Sequence, residues 1–158
     1  MTRLIGILLA LFFSLSGPAM GGNSDFRNLG IVAKGIGTPY GAALQSETAA
    51  AAAARAQVSG GSTLYRVGTT GRSAAGEAQF WALEHPLSPG FASRYGLPAE
   101  NVAAADFIET ATLKPGTSFI TRPAPGIGAN PGGGIEVVVP SGGVRLDSFH
   151  YSPNIFGQ

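Results

Sequence analysis

Residues 132–140 read GGGIEVVVP and residues 63–67 read TLYRV. Each is a short run of residues that favour strands, and each carries a single charge, Glu136 in the first and Arg66 in the second. A charge inside an apolar strand costs free energy unless it is paired or functional. Two such charges of opposite sign predict one shared site, with an anionic ligand near Arg66 and a developing positive charge near Glu136.

Strand patterns continue through residues 63–150. The predicted strands span 63–67, 79–83, 107–113, 117–121, 135–139 and 144–149. Two short helices are predicted between them, at 88–95 and 97–105; each has a proline in its first turn. The predicted fold class is α+β, a β-rich mixed or antiparallel sheet with two short helices.

The first part of the chain has a different composition. Residues 1–20 predict a secretory signal peptide, because Arg3 precedes an apolar run of about twelve residues, shorter than the roughly twenty that span a membrane. The alternative is a buried segment of a longer parent protein. Residues 21–62 predict a Gly/Ala-rich connector, with a domain boundary near residue 60. The compact domain is then 63–150 and the tail 151–158. We expect a secreted or periplasmic protein, or part of a larger exported one, with no stable membrane insertion of the mature chain.

Composition narrows the chemistry. The chain has 158 residues, 24 glycines, 11 prolines and no cysteine, which excludes disulfides and thiolate catalysis. Without Arg3, the ten basic residues fall to nine and equal the nine acidic ones. A neutral chain lacks the basic surface typical of DNA-binding proteins, so no DNA partner is expected.

Two further sets of residues offer alternative functions. His85, His150 and Lys114 could support metal-independent RNA cleavage by general acid and base, and surface histidines are the simpler interpretation. The histidine spacing does not indicate a metal site. Trp81 and the glycine-rich stretch 126–134 could instead form the contact surface of an exported binding domain without enzymatic activity.

Residues 63–150 resemble the ADP-ribosyltransferase-like toxin domains of bacterial polymorphic toxins. Tyr65-Arg66 matches the aromatic–arginine pair of that family's first strand, and 136–144 (EVVVPSGGV) matches its late strand with the catalytic glutamate. Two positions differ: Ala82 stands where the family has serine or threonine, and Gly134 where protein-modifying members often have glutamate or glutamine. Residues 122–126 (RPAPG) are also loosely similar to NAD-glycohydrolase necrotising toxins.

The resemblance implies roles for individual residues. Arg66 would bind NAD and Glu136 would stabilise the oxocarbenium ion as nicotinamide leaves, which makes these two the expected catalytic residues. Other expected NAD-binding residues are Tyr65, Phe80, Trp81 and Ser88. NAD would be the substrate, with no metal required. The two differing positions favour NAD hydrolysis over modification of a protein target, although such a target remains an alternative, and a toxin would require a cognate immunity protein.

Overall fold

The valine-rich run after the three glycines forms an inner strand of a seven-stranded sheet, as its continuous apolar pattern predicts. The computed structural model describes residues 30–73 and 76–157. Nine strands and three helices lie within these ranges: β1 Ile31–Val32, β2 Gly35–Thr38, β3 Gly41–Leu44, α1 Ala49–Ser59, β4 Leu64–Gly68, β5 Phe80–Ala82, α2 Phe91–Arg94, α3 Ala99–Ala104, β6 Phe107–Leu113, β7 Ser118–Pro123, β8 Ile135–Val138 and β9 Val144–Tyr151.

The large sheet has the strand order β1-β7-β8-β5-β4-β6-β9, and β2 and β3 form a separate antiparallel hairpin. Only the β1–β7 pair among these described strands is parallel, so the sheet is mixed. The predicted α+β class with a β-rich mixed sheet is therefore confirmed. The prediction of two short helices between early and late strands matches α2 and α3, and α1 is an additional helix.

One face of the sheet, here called the helix face, carries the main core. Val58 of α1 packs with Leu64, Trp81, Phe119 and Val137 of four different strands, all almost fully buried. The helix begins at Thr48, whose side chain accepts a hydrogen bond from the backbone N–H of Ala51. Its apolar surface is mainly alanine, so α1 can lie close to the sheet.

The opposite side, here called the cavity face, is covered only in part. The β2–β3 hairpin packs Ile36 and Ala43 against Ile120 and Val138 of the sheet. Beyond this small cluster, the segment containing α2 and α3 stands away from the strands and leaves a cavity between itself and the sheet. The fold thus leaves a recess on the cavity face.

The segment predicted as a connector is joined to the sheet. Strand β1 pairs with β7, the hairpin packs on the cavity face, and α1 contributes to the core on the helix face. Val58, which precedes the boundary predicted near residue 60, and Leu64, which follows it, lie in one core cluster. The predicted signal peptide, residues 1–20, lies outside the described residues. None of the described helices is both long enough and apolar enough to cross a bilayer.

Candidate functional site

A row of four side chains crosses the cavity face. Tyr65 lies opposite Ala82, Ala82 opposite Glu136, and Glu136 opposite Arg122, on β4, β5, β8 and β7. Directly opposed residues of neighbouring strands point to the same face of a sheet, and successive residues alternate. These four side chains therefore share one face, and all four residues line the cavity.

The charged end of this row is an ion pair. Arg122 Nε donates to Glu136 Oε1 at 2.8 Å. Among the described residues, neither Glu136 Oε2 nor the terminal Nη groups of Arg122 have a hydrogen-bond partner, and both side chains line the cavity. A carboxylate oxygen and a guanidinium edge are thus left for a ligand in the cavity.

Burial raises the pKa of Glu136 above its ordinary value, and the hydrogen bond and charge of Arg122 act against that rise. The Glu136 side chain is 9% exposed and that of Arg122 is 25% exposed. A carboxylate with so little water around it interacts more strongly with a positive charge brought next to it. The pair is consequently suited to stabilise a cation that forms in the cavity.

The cavity has a volume of about 430 Å³, within the range typical of small-molecule sites. Aromatic rings dominate its lining and come from the hairpin turn, from β4, from β5 and from the α2 segment. They are Tyr40, Tyr65, Phe80, Trp81, Phe91 and Tyr95, of which Trp81 only borders the cavity with its residue 2% exposed. Flat apolar walls beside one ion pair favour a ligand that combines planar rings with polar or charged groups.

Tyr95 forms the wall next to the ion pair. Its ring stacks on Phe91 with centroids 4.4 Å apart, and its hydroxyl donates to the carbonyl oxygen of Ile135 at 3.3 Å. Burial, reinforced by the charge of Glu84, raises the pKa of Tyr95 to about 12, so the hydroxyl stays protonated at neutral pH. Tyr95 therefore offers an apolar ring and no charge.

The glycine-rich stretch after β7 is hydrogen-bonded to the α2 segment that carries Tyr95. The backbone N–H groups of Gly132 and Gly134 donate to the carbonyl oxygens of Ser93 and Arg94, at 3.0 and 2.8 Å. A Cβ atom at position 134 would lie 3.1 Å from the ring of Tyr95 and 3.0 Å from the Arg94 carbonyl oxygen. Glycine at this position is what allows Tyr95 to lie against the head of β8.

Arg66 and Glu136 do not form the shared pair predicted from the sequence. Arg66 lies opposite Glu109 and next to Tyr65 in the same strand, so its side chain points to the helix face. Its Nη1 bonds Glu109 Oε1 at 2.5 Å, and the guanidinium lies over the ring of Phe107 at 5.6 Å. Arg66 borders the cavity along β4, but its charge is directed to the other face.

Glu109 differs from Glu136 in its access to the cavity. The residue is fully buried, and its Oε2 has no partner among the described residues. Burial raises its pKa, and Arg66 acts against that rise. The strand alternation that separates Arg66 from Glu136 is set by the register of four strands, which single strand patterns do not reveal.

The other predicted NAD-binding residues divide between the two faces. Tyr65 and Phe80 line the cavity, as a binding role requires. Trp81 borders the cavity, but it is 2% exposed, belongs to the helix-face core and donates its indole N–H to the carbonyl oxygen of Ala78 at 3.0 Å. Ser88 lies in the turn before α2 and is not part of the cavity lining. The buried indole leaves Trp81 little surface for the contact role that the binding-domain alternative gave it.

The residues of the ribonuclease alternative are not brought together. Leu113 pairs with Val144 and Ile108 with His150, so Lys114 and His150 stand at opposite ends of the β6–β9 hairpin. Six residues of strand separate Lys114 from the Ile108 pair, roughly 20 Å. His85 is exposed and has its ring edge-on to Tyr65 at 5.2 Å. In residues 30–73 and 76–157, no histidine, aspartate and glutamate side chains form a group of three that could hold a metal ion.

Sequence reasoning missed three contributors to the cavity: Arg122, Tyr95 and Tyr40. Arg122 had a usable signal, because it follows a β-rich run just as Arg66 lies within one. Tyr95 lies in a predicted helix, and the sequence pattern does not indicate that its ring faces the cavity. Tyr40 lies in the segment predicted as a connector, where no binding residue was expected.

Comparisons of this chain with protein-family models, with curated proteins and with solved structures give no match. The site is therefore interpreted from its own geometry.

Proposed function

We propose that this protein cleaves the bond between nicotinamide and ribose in NAD, as the enzymatic domain of a secreted bacterial toxin. The observation that carries the proposal is the open carboxylate oxygen of Glu136 beside Arg122 on the floor of an aromatic cavity. The resemblance of residues 63–150 to ADP-ribosyltransferase-like toxin domains supports the choice of substrate. It also supports the expectation of an immunity protein in the producing cell.

Each element of the site matches a part of this substrate. NAD contains two heteroaromatic rings, two ribose groups and a pyrophosphate. The free Nη groups of Arg122 suit a phosphate or hydroxyl oxygen, Glu136 Oε2 suits a ribose hydroxyl, and the aromatic walls suit the rings. In this proposal, Arg122 has the anion-binding role that was predicted for Arg66.

The reaction is a nucleophilic substitution at the ribose C1′ atom. The bond from C1′ to the nicotinamide nitrogen breaks, and both bonding electrons leave with nicotinamide, which becomes neutral. Positive charge develops on the ribose ring, where the Glu136 carboxylate lowers its energy. Water then adds its oxygen to C1′ and releases one proton, which gives ADP-ribose.

The surroundings of Gly134 favour water over a protein side chain as acceptor. Position 134 precedes Glu136 by two residues, where protein-modifying relatives of the resembled family often carry a glutamate or glutamine. Here a Cβ atom would be in tight contact with the ring of Tyr95 and with the carbonyl oxygen of Arg94. This tight contact disfavours an acceptor-orienting carboxylate at the position, so we propose NAD hydrolysis.

Incubation of the purified full chain with NAD, followed by chromatographic measurement of released nicotinamide, tests the proposal. We expect turnover by the wild type and a loss on the order of 100-fold or more in Glu136→Gln. Glu47→Gln is the matched control, since the Glu47 side chain is 83% exposed and remote from the cavity lining. No turnover by the wild type, or full turnover by Glu136→Gln, contradicts the proposal.

A further inference from the structure

One aromatic ring at the mouth of the cavity is almost fully exposed. Tyr40 lies in the turn of the β2–β3 hairpin, is 89% exposed and still lines the cavity. Its ring contacts that of Phe80, at 6.0 Å between centroids. A tyrosine that buries so little contributes little to stability through burial, so almost all of its ring surface is available to a ligand at the mouth.

The turn that carries Tyr40 is held in place. The Thr38 hydroxyl donates to the carbonyl oxygen of Gly41 at 2.7 Å and accepts from the backbone N–H of Tyr40 at 3.2 Å. Gly41 has a φ of 104°, which a residue with a side chain rarely adopts. The Gln79 side chain donates to the carbonyl oxygen of Gly37 at 3.1 Å and ties the hairpin to the start of β5. The exposed ring is therefore presented on a fixed support.

The two rings form a wedge. Their planes are inclined by 43°, and both rings line the cavity, so a flat ring can lie against either of them at the mouth. Phe80 is two residues from Ala82, the neighbour of Glu136 in the row, a distance of roughly 7 Å along the strand. The wedge thus lies to one side of the ion pair and not on it.

We propose that Tyr40 and Phe80 bind the purine ring of a nucleotide at the mouth of the cavity. The ligand class follows from what lies together: a wedge for a flat ring, a guanidinium edge for a phosphate and a carboxylate oxygen for a ribose hydroxyl. The orientation rests on the proposed function, since the bond that breaks must lie at Glu136 and the adenine end must then point to the mouth. Purine binding itself does not depend on turnover.

Calorimetric titration of the full chain with ADP tests this subsite, because ADP has the purine and the phosphates but no nicotinamide. Stacking of one base on an aromatic side chain corresponds to a loss of about 5- to 150-fold in affinity on substitution by alanine. We expect a loss in this range for Tyr40→Ala and wild-type affinity within about twofold for Tyr40→Phe. Tyr151→Ala is the matched control, since Tyr151 is 58% exposed and lies outside the cavity lining.

The failures of this subsite and of the proposed function are distinguishable. Unchanged ADP affinity in Tyr40→Ala, no ADP binding by the wild type, or equal affinity for inorganic pyrophosphate and ADP overturns the subsite. Tyr40-dependent ADP binding by a wild type that does not cleave NAD supports the subsite and removes the proposed function. If Tyr40→Ala cleaves NAD with an unchanged KM, the result supports the proposed function and contradicts the purine subsite.

Discussion

The two faces of the sheet each hold a buried arginine–glutamate pair, and the pairs differ in what they leave open. On the helix face, Glu109 is fully buried beside Arg66, and its second oxygen is sealed within the protein. On the cavity face, the Glu136 and Arg122 side chains are 9% and 25% exposed and line the cavity, and the terminal Nη groups of Arg122 have no partner among the described residues. A buried charge therefore does not mark a functional site by itself; access for a ligand distinguishes the two pairs.

Removal of residues 1–62 should have the largest effect, because it uncovers the helix face. This truncation deletes α1 and the hairpin and exposes Trp81, Phe119 and Val137, which are now nearly fully buried. Each such side chain contributes about 1.5–3 kcal/mol through burial, and a domain of this size is stable by only about 5–15 kcal/mol. We expect the truncated chain to lose its cooperative thermal unfolding transition. Circular dichroism recorded as the temperature is raised measures this transition. A truncated chain that melts as cooperatively as the full chain would contradict this account of the core.

Substitution of the arginine in each ion pair should lower the free energy of unfolding by different amounts on the two faces. Arg66→Met leaves Glu109 charged in a site without water and should cost about 3–5 kcal/mol. Arg122→Met leaves Glu136 next to a cavity that admits water and should cost about 1–2 kcal/mol. Urea denaturation at neutral pH measures both free energies of unfolding. Equal losses, or a larger loss for Arg122→Met, would argue against the difference in access.

The burial of Glu109 should also have a smaller effect, on the pH dependence of stability. Burial raises the folded-state pKa of Glu109 above its ordinary value of 4.5, so the folded protein binds more protons than the unfolded chain in this window. The stabilising contribution is complete below the unfolded pKa and is lost as pH rises through the folded pKa. We expect the unfolding free energy of the wild type, minus that of Glu109→Gln, to fall as pH rises from about 4.5 to 7.

Glu47→Gln serves as the control for this titration, because its carboxylate is largely exposed. If the unfolding free energy of the wild type minus that of Glu109→Gln rises with pH, the pKa of Glu109 is lowered on folding, which contradicts the account.

Much of the sheet was predictable because its strands have strong local patterns. The predicted strand 107–113 coincides with β6, and 135–139 exceeds β8 by one residue. Strand β1 was missed because it has only two residues, and β2 and β3 were missed because they consist largely of glycine and alanine, which are typical of loops. They become strands through pairing with β7 and with each other, which is a tertiary effect.

The site was less predictable than the fold. Glu136, Tyr65 and Phe80 were identified and do line one cavity. The partner of Glu136 was misassigned, because Arg66 and Arg122 both lie in apolar strands and only the register shows which face each occupies. A shift of one residue moves a side chain to the opposite face, so local patterns alone could not separate the two arginines.

Nicotinamide release by two matched variants tests the central claim, that the cavity face and not Arg66 carries the chemistry. The double variant Arg66→Met, Glu109→Met replaces the sealed pair by apolar side chains of similar volume, a change that is often neutral or stabilising. We expect it to cleave NAD at a rate close to the wild type, while Arg122→Met loses on the order of 100-fold. Loss of turnover in the double variant while it stays folded, with full turnover in Arg122→Met, would contradict the account.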